Sequence, residues 1–366
     1  MTNRAIAHAR LRNSRLVGPP LASPQDVVRW FGAVQSQDVP GALWGIAQRM
    51  PPGQTFDELG AAMDDGRIVR THGPRPTWHF LHPADLRWIL SLVGPRVEQT
   101  MAGMVRRLGI SPDAMARGQA AMVGAMAGGL DLTRDQLRDV VASAGIDSSE
   151  PLVTSMIGMA AEVRAAICNG PRRGKQATFV LVDDWVPAAA PLARDDALRE
   201  LTIRYFRSHG PALANDMAWW SGLTVGDVRR GIELTGSALE GRRVDGKEYW
   251  AAAGAFDPEP ELIPEPLVQL LPNYDEYLGS YRDYAPIFDE ALPRARTVAD
   301  VLGTHLVVRD GLVVGGWRRS LGAGRVTVTA TLLLPLTSAE LEALGAAAAA
   351  YGRFVELPVD LRIMTG

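Results

Sequence analysis

The 366-residue chain has a single cysteine, Cys168, so no disulfide can close within it, and no Cys/His spacing suits a zinc site. A reducing cytoplasm fits that composition. No run reaches the roughly 18 apolar residues a membrane-spanning helix needs. The basic opening MTNRAIAHARLRNSR has no apolar core of the kind an export signal carries. Positive charge is not in excess either: 38 Lys and Arg against 41 Asp and Glu give a formal net charge of -3, with a pI near 6.1. That balance argues against a protein that coats nucleic acid indiscriminately. Glycine pairs such as Gly315-Gly316 lack the strand-to-helix setting of a phosphate loop, so no nucleotide cofactor is expected.

What is present is an ordinary globular composition, 47% hydrophobic and 22% charged, in a chain long enough for two to four structural units. Its charges are unevenly placed. Acids are absent from 66–84, which carries Arg67, Arg70 and Arg75, and from 163–182, which carries Arg164, Arg172, Arg173 and Lys175. They are absent again from 311–339, where Arg318, Arg319 and Arg325 remain. These basic stretches are either nucleic-acid contacts or solvated loops.

Ser23-Pro24-Gln25-Asp26 reads as a helix start, with the helix running to about Gln35. Asp38-Val39-Pro40-Gly41 interrupts it, because the residue before a proline is driven to extended geometry. Helices over 42–49 and 56–63 follow, and RIVRTHGPRPTWHFL then reads as a hairpin. Helices followed by a hairpin describe a winged helix. The same grammar returns twice. A capping box at Thr133 to Gln136 and an apolar helix over 151–167 precede the hairpin CNGPRRGKQATFVLV. A helix over 194–207 and a cap at Thr224 to Asp227 precede RRVDGKEYW, which turns at Asp245-Gly246. A proline-rich connector, DPEPELIPEPLV, leads to the strand-like runs THLVVRD, LVVGGWRR and RVTVTATLLL and a helix over 338–351 packed across them. These strands form either a closing element or part of the third unit.

The segments AVQSQDVPGALWGIAQR, VRTHGPRPTWHFLHPADLRWIL, RSHGPALANDMAWWSGL, LLPNYDEYLGSY and VVGGWRR together resemble the winged-helix family of AlkZ-like DNA glycosylases, which unhook DNA interstrand crosslinks. The resemblance runs from about Arg10 to Arg319. It implies an α+β protein of three tandem winged-helix units with a C-terminal β element and a concave DNA-binding surface. The expected division is 1–85, 86–190, 191–255 and 256–366. It further implies a catalytic pair written Gln, an intervening residue, then Gln or Asp, which here is Gln35-Ser36-Gln37. Ser36 departs from the usual aliphatic or alanine. Arg282-Asp283 stands where the family often has an Asp-Arg pair.

Two residues apart on a helix, Gln35 and Gln37 would point about 200° from each other; on an extended segment they fall on one side. A carboxamide is no general base near neutral pH. A purine alkylated at N7 or N3 is cationic, however, and leaves as a neutral base. What remains to be done is to orient water and to stabilise an oxocarbenium-like sugar, which carbonyl dipoles can do. The alternative is a pair of glutamines that cap a helix end.

Around the pair, Trp78, His79 and Asp38 are candidates for active-site support, His79 being either functional or a satisfied structural residue. Arg70, His72 and Arg75 are expected on phosphate, or on a solvated turn. Arg172, Arg173 and Lys175 suit a wing on the DNA backbone or in a groove, with Arg318 and Arg319 as further contacts. Tyr274, Asp275, Glu276 and Tyr277 read as aromatic packing more readily than as an active-site acid. Trp219 and Trp220 are expected in the core. The expected function is a monofunctional, monomeric glycosylase, without metal or cofactor, acting on duplex DNA with alkylated or crosslinked bases in the bacterial cytoplasm and nucleoid. One alternative is a non-catalytic winged-helix binding protein or transcription regulator, usually a dimer on paired half-sites. Another is an acid/base hydrolase working through Asp275 or Asp283.

Overall fold

Helices in this protein begin where a side-chain oxygen can satisfy their first free N–H groups, so most starts are local decisions. Ser23 caps one helix, and Thr55, Thr133, Thr224 and Thr337 each form a capping box with an acid or glutamine three residues on. The computed structural model describes residues 2–256, 266–289, 291–292 and 305–365. Most of the proline-rich connector, 257–265, and the first residue of the THLVVRD run lie outside them.

The fold is mixed α+β. After α1 (Asn3–Asn13) and α2 (Pro24–Phe31) come β1 (Val34–Gln35), α3 (Val39–Ala47), α4 (Phe56–Asp64), β2 (Val69–His72) and β3 (Trp78–Leu81). Next are the long α5 (Pro83–Arg107), α6 (Pro112–Met126), β4 (Leu132–Thr133), α7 (Arg134–Ser143), α8 (Pro151–Val163), β5 (Ile167–Asn169), β6 (Thr178–Leu181) and α9 (Val182–Trp185). The third stretch holds α10 (Arg194–His209), β7 (Ala212–Leu213), α11 (Ala214–Ser221), α12 (Val225–Thr235), β8 (Leu239–Val244) and β9 (Lys247–Ala252). One succession thus occurs three times: a two-residue strand, two helices, then a hairpin. In each three-stranded antiparallel sheet the short first strand pairs with the last, giving the orders β1-β3-β2, β4-β6-β5 and β7-β9-β8.

The β8–β9 turn falls on Asp245 and Gly246, both at positive φ, as a two-residue hairpin turn of this sequence requires. Two expected helices end early. The first stops at Phe31, not Gln35, because Gly32 leaves the helix at φ +86. The apolar helix from Pro151 stops at Val163, and Ile167 already belongs to a strand. Val39-Pro40-Gly41 is not a break but the first turn of α3, where a proline needs no N–H partner.

The remaining elements are β10 (Val268–Leu271), α13 (Glu276–Gly279), β11 (His305–Arg309), β12 (Leu312–Gly322), β13 (Arg325–Leu332), α14 (Ser338–Phe354) and β14 (Val359–Thr365). They include a five-stranded sheet in chain order, antiparallel except for the β13–β14 pair, which α14 connects. This sheet packs against the first unit: Trp44 of α3 lies in the same buried cluster as Trp317, Tyr351 and Phe354, with ring centroids 5.2 Å from those of Tyr351 and Phe354. Trp44 also donates its indole N–H to Leu270 O, 2.7 Å away. A second core joins β2, β3 and α5 to α10 and α11. These two cores bring the far ends of the sequence and its middle onto β1. Among the described residues no helix is long and apolar enough to cross a membrane.

Candidate active site

Gln35 closes the strand β1, Ser36 continues its pairing, and Gln37 sits in the bend that leads to α3. Gly32 turns the chain out of α2 into β1, where Gln35 lies opposite His79 of β3. Ser36 N–H donates to Trp78 O at 2.7 Å, and Ser36 O accepts from the Arg70 guanidinium at 3.2 and 3.3 Å. Gln37 Oε1 accepts from Trp78 N–H at 3.3 Å, and Gln35 Oε1 from an Arg75 Nη at 2.8 Å. Gln35 is buried and Gln37 exposed. A carboxamide oxygen has two lone pairs. One on each glutamine is taken by a fixed donor, which orients the side chain and leaves the other lone pair for a ligand.

Behind Gln35 stands Glu276, 241 residues away in sequence and only 3% exposed. Its Oε1 accepts the Gln35 N–H at 2.8 Å. Its Oε2 lies 3.0 Å from Trp220 Nε1 and 3.2 Å from His209 Nε2, and accepts the Ser280 hydroxyl as well. Burial alone would push this carboxyl up. The hydrogen bond and charge of His209, then the Ser280 hydroxyl and the Gln35 N–H, outweigh it and hold the group at about 2, fully ionised at neutral pH. Its neighbour Asp275 forms a two-pronged buried pair with Arg49, at 2.7 and 2.9 Å, and Arg49 reaches on to Ser14 O and Gly45 O. The two acids are therefore buried and bonded, Asp275 as the N-cap of α13 and Glu276 in its first turn, and Tyr277 is buried as expected. Between them and Gln35 lies a cavity of about 10 Å³, lined in part by Val34, Gly45 and Tyr274. That is about the space of one water.

His79 is completely buried, and burial, followed by the nearby Arg75 charge, depresses it to about 3. It is neutral under ordinary conditions. Its Nδ1 carries the proton toward Thr77 O, 2.9 Å away. Arg70 is lowered to about 10 by burial, and Arg75 is lowered for the same reason. Arg70 bonds Ser36 and Asn169 and lies over the Trp78 ring at 4.1 Å. His72 holds Glu162 at 2.5 Å and stacks near Trp78. Of the residues expected on phosphate, Arg70 and Arg75 bond Ser36 and Gln35, and His72 packs against Trp78, whose backbone holds Ser36 and Gln37.

The protein-family model described as DNA glycosylase AlkZ-like matches residues 28–354. The chain belongs to the AlkZ-like family of DNA glycosylases. It is accordingly a hydrolase of N-glycosyl bonds. An interstrand DNA cross-link repair glycosylase of Streptomyces sahachiroi is 26% identical over 309 residues, which cover 81% of this chain and 82% of that protein. The solved structure of the Streptomyces sahachiroi DNA glycosylase AlkZ shares the fold, with a TM-score of 0.79, 23% identity and 99% of each chain covered.

In this AlkZ-like chain the other anticipated residues are dispersed. Asp38 does not cap α3 with its side chain; its carboxylate pairs with Arg319 of β12 at 2.8 Å, so two residues expected in separate roles neutralise each other beside Gln37. Arg172 is bound to Asp64 of α4 by three guanidinium contacts between 2.8 and 3.2 Å, and Arg173 to Asp131. Lys175 and Arg318 are exposed. Asp283 pairs with Lys247 on the surface, far in sequence from either glutamine. Sequence reasoning passed over Glu276, His209 and Trp220 as site residues, and took Trp219, 48% exposed, for core. The adjacency of two tryptophans on one helix was the available signal, since neighbours on a helix point about 100° apart and two rings of this size need a wide buried face to be covered together.

Proposed function

We propose that this glycosylase hydrolyses the N-glycosidic bond of N-alkylated purines in duplex DNA, including bulky or crosslinked adducts, and that Gln35 and Gln37 position the water. The observation that carries this reading is that two carboxamides leave the end of one short strand, each with its carbonyl held by one donor, Arg75 or the Trp78 N–H, and a second lone pair unused. In the reaction the C1′–N bond breaks and the neutral base departs with the bonding electrons. The positive charge left on C1′ and the ring oxygen is opposed by the two carbonyl dipoles. A water aligned by them adds to C1′ and releases a proton to solvent. No step asks a side chain to ionise, which agrees with carboxamides at this position and with a neutral His79 beneath them. Fixed negative charge is supplied by Glu276 behind Gln35 and balanced by Arg75 in front of it.

The three repeated strand-helix-helix-hairpin units are read as winged helices, over 1–85, 86–190 and 191–255, with 256–366 closing the assembly. They would present a concave face to DNA with Lys175 and Arg318 on phosphate, the protein acting as a monomer on the nucleoid DNA of a bacterial cytoplasm. Action on crosslinked adducts is supported by the likeness to the interstrand DNA cross-link repair glycosylase of Streptomyces sahachiroi.

The test is release of N7-methylguanine from alkylated duplex DNA by the wild type and by folded Gln35→Ala and Gln37→Ala variants. Loss of one preorganised dipole is expected to slow release by roughly 10²-fold or more. Unchanged rates in both variants would move the chemistry elsewhere. No release from alkylated or crosslinked duplexes, together with a sequence-selective dimer, would make the protein a regulator.

A further inference from the structure

Gln35, Gln37 and the groups that hold them leave the ring of Trp219 unused. Trp219 and Trp220 are consecutive on α11, yet Trp220 is buried against Glu276 while Trp219 is 48% exposed. Scattered exposed apolar residues are normal on a protein surface. Trp219 differs by its position. The helix ends at Gly222, at φ +70, and a Cβ there would lie 3.1 Å from Pro74 O, so only glycine lets α11 seat so closely on the β2–β3 turn. Arg96 donates to Gly222 O from the other side at 3.4 Å. The contact puts Arg75 between two groups: its guanidinium donates to Gln35 Oε1 at 2.8 Å, and its Cζ lies 5.3 Å from the centre of the Trp219 ring.

Near the start of α11 lie further polar groups. Asn215, one turn earlier, is exposed, and the exposed Arg282 has its backbone N–H anchored at 2.9 Å to Asp216. Among the described residues its guanidinium has no protein partner. An accessible indole with a guanidinium beside it, here Arg75 next to Trp219, is an arrangement that binds single nucleobases, the ring stacking on the base and the cation favouring the phosphate backbone.

We infer that Trp219 is a stacking platform for an unpaired nucleobase at the lesion, coupled to Gln35 through Arg75. The inference rests on the proposed function only in taking the face around Gln35 as the one that meets DNA. The ligand is the π-face of a base without a partner, supplied either by the strand opposite the lesion or by a base extruded from the helix.

The experiment measures dissociation constants of the wild type, Trp219→Ala and Trp219→Phe for three duplexes of one sequence. The first is fully paired, the second has a tetrahydrofuran abasic site facing a normal base, and the third has a single-base bulge. Stacking of one base on an aromatic ring predicts that Trp219→Ala weakens binding to an unpaired-base duplex by about 5- to 150-fold, with Trp219→Phe recovering most of it. The fully paired duplex should change by less than about twofold, since no base is free to stack. A loss confined to the abasic duplex assigns the platform to the opposite-strand base, and one confined to the bulge assigns it to an extruded base. Equal loss on all three duplexes, or no loss on any, overturns the inference. Because the readout is binding, it stands apart from base release. A wild type that releases no base but keeps a Trp219-dependent preference would refute the glycosidic chemistry and leave the platform in place.

Discussion

Replacing Glu276 is expected to be among the most damaging single changes in this protein, and its signature should depend on pH. Glu276→Ala removes the acceptor for four buried donors, on Gln35, Trp220, His209 and Ser280. The Ser280 hydroxyl can rotate toward another acceptor, whereas the backbone N–H of Gln35 and the indole N–H of Trp220 are fixed. At about 1–3 kcal/mol for each orphaned buried group, the loss is about 2–6 kcal/mol from those two alone. That is a large part of the roughly 5–15 kcal/mol by which native proteins are stable. Glu276→Gln keeps the shape but removes the charge and turns an NH2 toward donors.

The carboxyl sits at about 2 in the folded protein against an ordinary 4.5. The unfolded chain therefore takes up its proton first as pH falls. The stabilisation is fully present above about pH 4.5 and is lost between there and pH 2, a difference on the order of 3 kcal/mol. Urea unfolding of wild type and Glu276→Gln at pH 7, 5 and 3.5 measures it, from midpoints at unchanged slope. The gap between the two proteins should be widest at pH 7 and narrow by pH 3.5. A gap of the same size at both, or no shift in midpoint at pH 7, would refute the assignment of an ionised, fully bonded Glu276.

Other outcomes follow from the same geometry. Base release from an N7-methylguanine duplex should be flat in rate between about pH 6 and 8 for folded protein, because carboxamides do not titrate and His79 is held at about 3; a rate that follows a single proton in that window would contradict the mechanism. Arg49→Met should cost about 3–5 kcal/mol in thermal or urea unfolding by stranding Asp275, and the double change with Asp275→Leu should recover much of it. Lys175→Ala and Arg318→Ala should each reduce the salt dependence of DNA binding by about one counterion. Arg172→Ala, whose guanidinium already belongs to Asp64, should lower stability instead and leave the salt slope alone.

Much of the secondary structure was legible because its causes lie within a few residues. Capping boxes at Thr133 and Thr224 and the Asp245-Gly246 turn act over three residues or fewer, and each appears where its local chemistry puts it. Elements without such a signature were missed. The two-residue strands β1, β4 and β7 are too short to show a period, and β1 is the one that carries Gln35. The long α5 has Gly94 and Pro95 in its interior, which locally argue against a helix; Gly94 packs against α8, where a Cβ would meet Val163 O at 2.7 Å.

The site divides in the same way. By itself the sequence determined the residues of the Gln35-Ser36-Gln37 motif and the hairpin over 67–81, because turn-forming glycine and proline mark the hairpin locally, whereas the early end of α2 and the pairing of β1 with β3 became visible only in the fold. Only the tertiary structure decided which charges face that segment. Glu276 reaches Gln35 across 241 residues, Arg319 reaches Asp38 across 281, and Trp219 rather than its neighbour is left in solvent. Such contacts carry no periodicity or spacing along the chain. They follow from the burial of apolar faces against one another, which is non-directional and is settled only when the C-terminal sheet and the third unit close on the first.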